Sequence, residues 1–410
     1  MDDLSRWRPR RRWPMRLALS AGIVALTAAA SATSGAYFVR HTVSKVNQVD
    51  IGSDLTPTGD TVAAAGGKTP ATTDPGPAPT KIENYLLVGN DTRVGADPTD
   101  PDYGGIGSDA KTQGLNSDTI MVARFDPATG ATALLSIPRD TYVEIQAAKP
   151  FHDRINGAYG EGRDVLVRTI QKDLGIPINH YVEVNFEGFK KIVDAIGGVS
   201  MFLPYAVRDS HTGLELLKPG CVNLNGVQAR QWVRSRYLQY LKDGKWKNDE
   251  SSDYGRMSRQ QDFVKRAFTK VLARSANPIV AAQVIDAVAS NLTVEQGFNP
   301  RALAKLARSM AGATIDTYTL PTSPEKISGK DVLQMDAAAS APILSYFKGV
   351  TNDQPVANLP ANGQGAAGLA PVVIPVPRAD VTTTVAPGTG GPPSTTASNG
   401  IVPDATQSCG

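Results

Sequence analysis

The chain has 410 residues, of which 20% are charged and only 6% are aromatic, and its formal net charge is +3. Six arginines among residues 1–16 outweigh Asp2 and Asp3, so the remainder of the chain is close to neutral. This argues against a nucleic-acid-binding protein, because such proteins carry a strongly basic domain. Two cysteines and four histidines are too few for a zinc-finger array or a disulfide-rich scaffold.

An uncharged segment, Leu17–Val39, follows the basic N-terminus. It exceeds the roughly 20 apolar residues that a transmembrane helix needs. The arginines before it predict that residues 1–16 form a cytoplasmic basic stub and that the rest of the chain faces outward. We therefore expect a single-pass protein of the cell membrane with an extracytoplasmic domain. A cleaved signal peptide is the alternative interpretation, because Ala30-Ser31-Ala32 resembles a small-residue processing site.

The rest of the chain divides into three parts by composition. Residues 40–80 are polar and rich in proline, which predicts a flexible extracytoplasmic linker. Residues 81–350 carry regular apolar patterns and form the predicted folded domain. Residues 351–410 are rich in Pro, Gly, Ala and Thr and contain no aromatic residue, which predicts a disordered tail.

Short β-branched and apolar runs bounded by turn residues predict strands at Tyr85–Val88, Thr119–Phe125, Thr132–Ile137, Tyr181–Phe186, Val199–Leu203 and Ile315–Leu320. Apolar residues at helical spacing predict helices at Val165–Leu174, Phe186–Ile196, Gly226–Tyr237, Arg256–Arg274, Pro278–Ser290, Pro300–Met310 and Val332–Tyr346. Strands that alternate with helices favour an α/β sheet between two helical layers.

Two aspartates lie at the ends of predicted strands. Asp91 follows the strand Tyr85–Val88, and Asp118 precedes the strand Thr119–Phe125, so both can lie at the same edge of the sheet. Two carboxylates that meet there are suitable ligands for Mg²⁺ beside substrate phosphates. Turn or cap residues are the alternative interpretation of both aspartates.

An arginine ends the next predicted strand. Arg139 follows the apolar run Thr132–Ile137, which places its guanidinium at the end of the sheet, and Arg154 comes a little later in the chain. Arginine is suited to phosphate because its planar group can form two parallel hydrogen bonds. On this segment alone, an ion pair between Arg139 and Asp140 is the favoured interpretation.

Five further donors lie close together in the sequence. Arg234 and Arg236 have i, i+2 spacing, which places both side chains on one face of an extended chain. Arg256, Arg259 and Gln260 have i, i+3 and i+4 spacing, which predicts that all three lie on one face of a helix. The set predicts an anion-binding site, and a solvated basic surface is the alternative.

These motifs, in this order, resemble the LytR-CpsA-Psr family. The resemblance extends over about residues 82–275 and depends on the strings Tyr85–Arg93, Ser117–Ile120, Ser136–Asp140, His180–Phe186, Val193–Val199, Gly226–Arg236 and Gly255–Gln261. It implies a three-layer α/β/α domain with a mixed central sheet and a deep apolar cleft. It also implies an extracytoplasmic phosphotransferase that moves a glycopolymer from a polyprenyl-pyrophosphate carrier to peptidoglycan, usually with Mg²⁺. Its partners are then the lipid-linked glycopolymer, the peptidoglycan acceptor and the membrane, without nucleic acid.

The resemblance also assigns roles to residues. Asp91 and Asp118 match the metal-binding aspartates, and Arg139 matches the arginine of the central motif. Taken with Arg259 from the helix pattern, the predicted pyrophosphate-binding residues are Arg93, Arg139, Arg154, Arg234, Arg236, Arg256, Arg259 and Gln260. Arg139, Asp140 and Asp91 are the predicted catalytic residues, and either aspartate is a candidate for the general base.

Three alternatives stay open at the level of the sequence. The domain could be a non-catalytic module that binds an anionic polymer or a lipid pyrophosphate, or a membrane-bound transcription attenuator. Cys221 and Cys409 could form a disulfide in an oxidising exterior, or remain two free thiols.

Overall fold

The computed structural model of the protein describes residues 46–56, 81–90, 92, 117–274, 286, 290–298, 315–355 and 409. Several predicted segments lie outside these residues, namely the basic stub 1–16, the anchor 17–39, most of the linker and tail, and most or all of the helices predicted at 278–290 and 300–310. Within the described residues, no helix is both long enough and apolar enough to cross a membrane.

The strands of the described residues are β1 (Asn47–Val49), β2 (Glu83–Asn90), β3 (Ser117–Phe125), β4 (Thr132–Ile137), β5 (Tyr142–Ile145), β6 (Phe151–Arg154), β7 (His180–Val184), β8 (Val199–Leu203), β9 (Val207–Asp209), β10 (Leu214–Leu216), β11 (Gly220–Leu224), β12 (Gln239–Lys242), β13 (Lys245–Asn248), β14 (Leu292–Glu295), β15 (Ile315–Thr319), β16 (Thr322–Ile327) and β17 (Lys330–Met335). The helices are α1 (Asn156–Glu161), α2 (Arg163–Thr169), α3 (Phe186–Ala195), α4 (Gly226–Arg234), α5 (Ser252–Arg274) and α6 (Ala337–Phe347). A π-helical turn, Ile170–Leu174, continues α2.

Seven strands form the central sheet, in the order β1-β14-β7-β2-β3-β4-β15. The pairs β1/β14, β7/β2 and β4/β15 are parallel. The pairs β14/β7, β2/β3 and β3/β4 are antiparallel. The expected α/β fold with a mixed central sheet is therefore confirmed. A smaller sheet, β10-β9-β12-β13, lies outside it.

Side chains of the central strands alternate between the two faces of the sheet. On one face, Leu86 and Val88 pack with helices α1, α2 and α6 in a buried core. The opposite face carries Leu87 and faces helices α3, α4 and α5. These three helices pack around a separate core that contains Trp232 and Phe263. Helices therefore lie on both sides of the sheet, and a cavity remains between the sheet and the second helical layer.

One predicted helix begins too early. The pattern predicted a helix over Val332–Tyr346, but the first part of this segment belongs to strand β17, which pairs antiparallel with β16. Ser328 and Gly329 connect the two strands with φ values of 52° and 81°, as a two-residue hairpin turn requires. Helix α6 starts only after this hairpin, and the side chain of Asp336 caps its first turn.

Cys221 of strand β11 forms a disulfide with Cys409, with a distance of 5.5 Å between their Cα atoms. Of the two interpretations left open by the sequence, the structure therefore supports the covalent link. Residue 355 also contacts the domain, because the hydroxyl of Tyr318 donates a hydrogen bond of 3.1 Å to the carbonyl of Pro355. The segment 356–408 is thus attached at both of its ends.

A histidine is held between two carboxylates at the start of strand β7. The Nδ1 atom of His180 lies 2.8 Å from Glu295 Oε1, and its Nε2 atom lies 3.6 Å from Glu83 Oε2. Its ring stacks on Tyr85 at 4.5 Å between centroids. Burial alone would lower the pKa of His180, but the hydrogen bonds and charges of Glu295 and Glu83 outweigh it and raise the pKa to about 9.

We expect the ion pairs of His180 to stabilise the fold at neutral pH and to lose this effect in alkaline solution. The folded pKa of His180 lies above the unfolded value of about 6.5, so its contribution is complete below that pH and is lost as the pH rises through about 9. Urea unfolding between about pH 7 and pH 10 should show a fall on the order of 3 kcal/mol from this group. His180→Gln should be less stable at neutral pH and lose less on alkalinisation, and parallel pH profiles of the two proteins would contradict this.

Candidate functional site

A cavity of about 550 Å³ lies between the central sheet and the second helical layer. Leu87 and Val182 line it on the side of the sheet, and Phe189 of α3 and Phe263 of α5 line it on the side of the helices. We call the cavity lined by these side chains the apolar cavity. Concave sites lined by hydrophobic and aromatic side chains bury most of a ligand's apolar surface, so this part is suited to a hydrocarbon chain.

Polar side chains surround the cavity at the edge of the sheet, and we call them the arginine mouth: Arg139, Arg234, Arg236, Arg256 and Gln260. They come from the turn after β4, from the end of α4 and the residues after it, and from the first turns of α5. All five were predicted from the sequence as pyrophosphate-binding residues. The structure brings them together around one cavity although they lie far apart in the chain.

Three guanidinium groups of the arginine mouth share two carboxylates. Arg139 Nη1 donates a hydrogen bond of 2.7 Å to Asp118 Oδ1, and Arg236 Nη2 lies 3.7 Å from the same oxygen. Arg236 Nε and Arg256 Nη2 lie 3.3 Å and 3.0 Å from Asp253 Oδ1. Asp140 is a third carboxylate of this network, 3.6 Å from Arg139 Nε. The mouth thus concentrates guanidinium donors at one place, and such donors bind anions.

Arg256 is the most deeply placed cation of the mouth, with only 3% of its surface exposed. Burial lowers the pKa of Arg256 to about 10; Asp253 opposes this only in part, and Arg236 contributes to the lowering. Keeping the side chain charged therefore costs roughly 3 kcal/mol relative to water. An anion in the mouth would offset that cost, since a buried charge is stable only when it is paired.

A buried contact orients Arg234 and Arg236. Ser235 lies between them and is fully buried. Its hydroxyl donates to Asp209 Oδ2 at 2.5 Å, and its carbonyl accepts a hydrogen bond of 2.6 Å from Arg259 Nη2. We call these three residues the Ser235 clamp. Arg234 and Arg236 both line the cavity, and fixing the extended Ser235 between them restrains the direction of both side chains.

Two further contacts hold the mouth in place. The guanidinium of Arg234 lies over the ring of Phe186, with 4.7 Å between Cζ and the ring centroid. The Nε2 atom of Gln260 donates a hydrogen bond of 3.0 Å to the carbonyl of Val233, and so joins α5 to the end of α4. A cation is attracted to the face of an aromatic ring, and this attraction restrains the orientation of Arg234.

Other predicted residues lie elsewhere. Arg259 is fully buried behind the mouth, where its Nη1 atom donates to Asp249 Oδ2 at 2.9 Å, and it does not line the cavity. Arg154 also lies outside the cavity lining, and two of its guanidinium nitrogens donate to the carbonyl of Asp331 at 3.0 Å and 2.6 Å. Asp140 lies 3.6 Å from Arg139 Nε and 3.7 Å from Arg154 Nη1.

Of the two predicted metal ligands, Asp118 lies within the described residues, whereas Asp91 lies outside them, as does the predicted pyrophosphate-binding residue Arg93. Within the described residues, no group of three or more His, Cys, Asp or Glu side chains could hold a metal ion by itself. Asp118 is a partly exposed carboxylate that lines the cavity next to Arg139. One or two carboxylates together with substrate phosphates are a usual donor set for Mg²⁺, and Asp118 fits this set.

The sequence did not identify several residues of the site. Asp209 is buried on the short strand β9, and His211 and Tyr237 stack at 4.3 Å between ring centroids in the lining of the cavity. Asn90 and Phe186 also line it. Asn90 and Phe186 lie within the strings Tyr85–Arg93 and His180–Phe186 but were assigned no role. The positions of Asp209 and His211 depend on contacts between distant segments.

The chain matches a known family over most of its length. The model of the LytR_cpsA_psr family matches residues 58–346. A curated relative, the probable cell wall biosynthesis protein LcpB of Corynebacterium glutamicum, is 32% identical over 241 residues, which are 58% of this chain and 54% of that protein. The polyisoprenyl-teichoic acid–peptidoglycan teichoic acid transferase TagU of Bacillus mycoides is 37% identical over 189 residues, which are 45% of this chain and 57% of that protein. The chain thus spans about half the length of these curated relatives.

Solved structures share the fold. A LytR-Csp2A-Psr enzyme from Actinomyces oris superposes with a TM-score of 0.54 and 26% identity, covering 74% of this chain and 96% of that one. The crystal structure of B. subtilis TagV superposes with a TM-score of 0.53 and 23% identity, covering 67% of this chain and 99% of that one. The second likeness concerns the fold alone.

Substituting two neighbouring buried arginines should give opposite results. Arg256→Met removes a cation that burial disfavours, and Asp253 keeps Arg236 as its partner, so we expect unchanged or increased stability and weaker binding of inorganic pyrophosphate. Arg259→Met leaves Asp249 buried without this cation and should lower the free energy of unfolding by about 3–5 kcal/mol. Urea unfolding and titration calorimetry measure both effects. Equal destabilisation by the two substitutions would contradict the assignment.

Proposed function

Because the chain belongs to the LytR-CpsA-Psr family, we propose that it transfers a glycopolymer from a polyprenyl-pyrophosphate carrier to peptidoglycan in cell-wall assembly. The observation that carries this proposal is the junction of an apolar cavity with a mouth of four arginines. A polyprenyl pyrophosphate has the same two parts, a hydrocarbon chain and a diphosphate.

The proposed reaction exchanges one phosphorus–oxygen bond for another. A hydroxyl of peptidoglycan forms a bond to the phosphorus on the sugar side, the bond from that phosphorus to the bridging oxygen breaks, and polyprenyl phosphate leaves. Such transfers depend mainly on positioning and on neutralising charge rather than on a protein nucleophile. The proton of the hydroxyl passes to a general base, for which Asp140 and Asp91 remain the two candidates.

The arginine mouth supplies the neutralising charge in this proposal. The side chains of Arg139, Arg236 and Arg256 are already held close together by shared carboxylates. Each guanidinium can therefore reach phosphate oxygens after only a small rotation of its side chain. The planar guanidinium can contact two phosphate oxygens at once. Gln260 adds a neutral donor, and the Ser235 clamp keeps Arg234 and Arg236 directed at the same position.

We also propose that Mg²⁺ takes part, held by Asp118 together with phosphate oxygens and with Asp91. The ion would supply further neutralisation of the phosphate charge. In the described structure Asp118 contacts Arg139 and Arg236, and a divalent cation beside the diphosphate would compete for the same carboxylate. The chemistry of this donor set supports the proposal.

The location of the reaction follows from the carrier. A polyprenyl chain resides in the membrane, so an enzyme anchored there meets its donor by lateral diffusion. The uncharged segment Leu17–Val39 and the arginines before it support a single membrane anchor with the domain on the outer face. We therefore propose that the protein is a single-pass membrane enzyme.

Arg139→Ala tests the proposed chemistry. Removing a donor that acts on developing charge costs on the order of 3 kcal/mol, so we expect transfer to slow by about a hundredfold while the fold is retained. The assay measures the release of polyprenyl phosphate from a lipid-linked oligosaccharide in the presence of peptidoglycan. Lys326→Ala, which removes the same charge from the exposed β16/β17 hairpin, serves as the control. Binding of the donor without its consumption by the wild-type protein would instead identify a non-catalytic binding module.

The metal proposal has its own test. Treatment with EDTA should stop transfer, and added Mg²⁺ should restore it, because phosphate charge is otherwise incompletely neutralised. Asp118→Asn should raise the Mg²⁺ concentration needed for half-maximal rate by at least about tenfold, since it weakens one hard ligand. Undiminished transfer after removal of all divalent ions would refute the role of the metal.

A further inference from the structure

A second, polar cavity of about 260 Å³ lies beside the arginine mouth. Its most characteristic lining residues are four asparagines, Asn47, Asn90, Asn185 and Asn291, and we call it the asparagine groove. Asn90 and Asn185 line the apolar cavity as well as the groove, so the two spaces adjoin each other.

The register of the central sheet explains why they adjoin. Asn90 ends β2, Asn185 follows β7, and Asn291 precedes β14, and these three strands are neighbours in the sheet. On the next strands of the same edge, Asp118 begins β3 and Arg139 follows β4. Asparagines therefore line one half of the sheet edge, and the charged residues of the mouth line the other half.

The groove differs from the apolar cavity in the chemistry of its walls. Among its described lining residues there is no aliphatic or aromatic side chain, and the asparagines are joined by Thr92, Thr293 and Ser290. An amide both donates and accepts hydrogen bonds, which matches a ligand hydroxyl that does the same. A hydrocarbon chain in this groove would displace water from these polar side chains and offer them no hydrogen bonds, at a cost in free energy.

The charged side chains that line the groove form ion pairs. Arg163 binds both carboxylate oxygens of Glu183, at 2.6 Å and 2.9 Å. Lys191 Nζ lies 3.6 Å from Glu187 Oε1. The described lining thus holds two cations and two carboxylates, and Lys190 and Arg230, which lie outside the lining, also approach Glu187. Its chemistry favours a neutral ligand with many hydroxyl groups.

The floor of the groove is held rigidly. Glu183 is buried, and its carboxylate also accepts hydrogen bonds of 2.6 Å from Asn90 Nδ2 and from the hydroxyl of Tyr181. Asn185 Oδ1 accepts a hydrogen bond of 2.7 Å from the N–H of Gly188 and caps helix α3. Polar groups that are already oriented lose little conformational entropy when a ligand binds.

We propose that the asparagine groove binds neutral sugar rings next to the reacting phosphate. This inference rests on the proposed function: with the hydrocarbon chain in the apolar cavity and the diphosphate at the arginines, a sugar must continue along the sheet edge. The ring can come from the donor polymer or from the glycan of the acceptor, since both carry the same hydroxyl chemistry.

The test compares two neighbouring residues of strand β1. Asn47 lines the groove and lies opposite Thr293 in the sheet, whereas the exposed Gln48 points to the other face of the strand. Asn47→Trp should fill the groove, and Gln48→Trp adds the same bulk outside it. Binding is measured by titration calorimetry with three probes: geranylgeranyl pyrophosphate, a polyprenyl pyrophosphate carrying one sugar, and a phosphate-free glycan fragment of peptidoglycan.

We expect Asn47→Trp to weaken binding of the sugar-bearing lipid or of the glycan fragment at least tenfold, and Gln48→Trp to change neither. Loss with the sugar-bearing lipid identifies the donor sugar, and loss with the fragment identifies the acceptor. Unchanged binding of both probes would overturn the proposal, as would an equal loss with geranylgeranyl pyrophosphate. Failure of the proposed function is a different result, in which the wild-type protein does not bind geranylgeranyl pyrophosphate at all.

Discussion

The Ser235 clamp is the contact on which the geometry of the arginine mouth depends. Asp209 and Arg259 are charged and fully buried, and each forms a hydrogen bond with Ser235, which lies between the two arginines Arg234 and Arg236. Burying two charges is costly, and breaking one side of such an arrangement leaves the other unpaired. These costly buried charges orient Arg234 and Arg236. Such support is expected where several side chains must contact one ligand.

The edge of the central sheet changes in chemical character from one strand to the next. Amide side chains flank β14, β7 and β2, and charged side chains flank β3 and β4, while the apolar cavity lies on the face of the sheet that carries Leu87 and Val182. A ligand with a hydrocarbon chain, a diphosphate and a sugar contains the same three kinds of group. The antiparallel and parallel pairs of the mixed sheet make this order possible, because they bring beginnings and ends of strands to one edge.

The sequence predicted five of the seven strands of the central sheet, because these five have clear apolar patterns; β14 was not predicted, and β1 lies within residues 40–80, which were predicted as a linker. The five residues of the arginine mouth were identified from their spacing together with the family resemblance. Asp209, Asn47 and Asn291 lie outside the recognised strings, and they reach the site only through pairing of distant strands. Arg259 shows a limit of helical spacing: successive residues of a helix lie about 100° apart, so Arg259 and Gln260 face different neighbours. Gln260 lies in the mouth, whereas Arg259 turns to Asp249 and Ser235. Similarly, the apolar spacing in Val332–Tyr346 concealed the Ser328-Gly329 turn and its hairpin.

The bond between Cys221 and Cys409 makes the polypeptide a closed ring from residue 221 onward. With Pro355 also in contact with Tyr318, a single protease cut within 356–408 would release no fragment while the thiols stay oxidised. Under reducing conditions the same cut would release the piece that runs from the cut to Gly410. In an oxidising environment the disulfide would keep both products of the cut in one molecule.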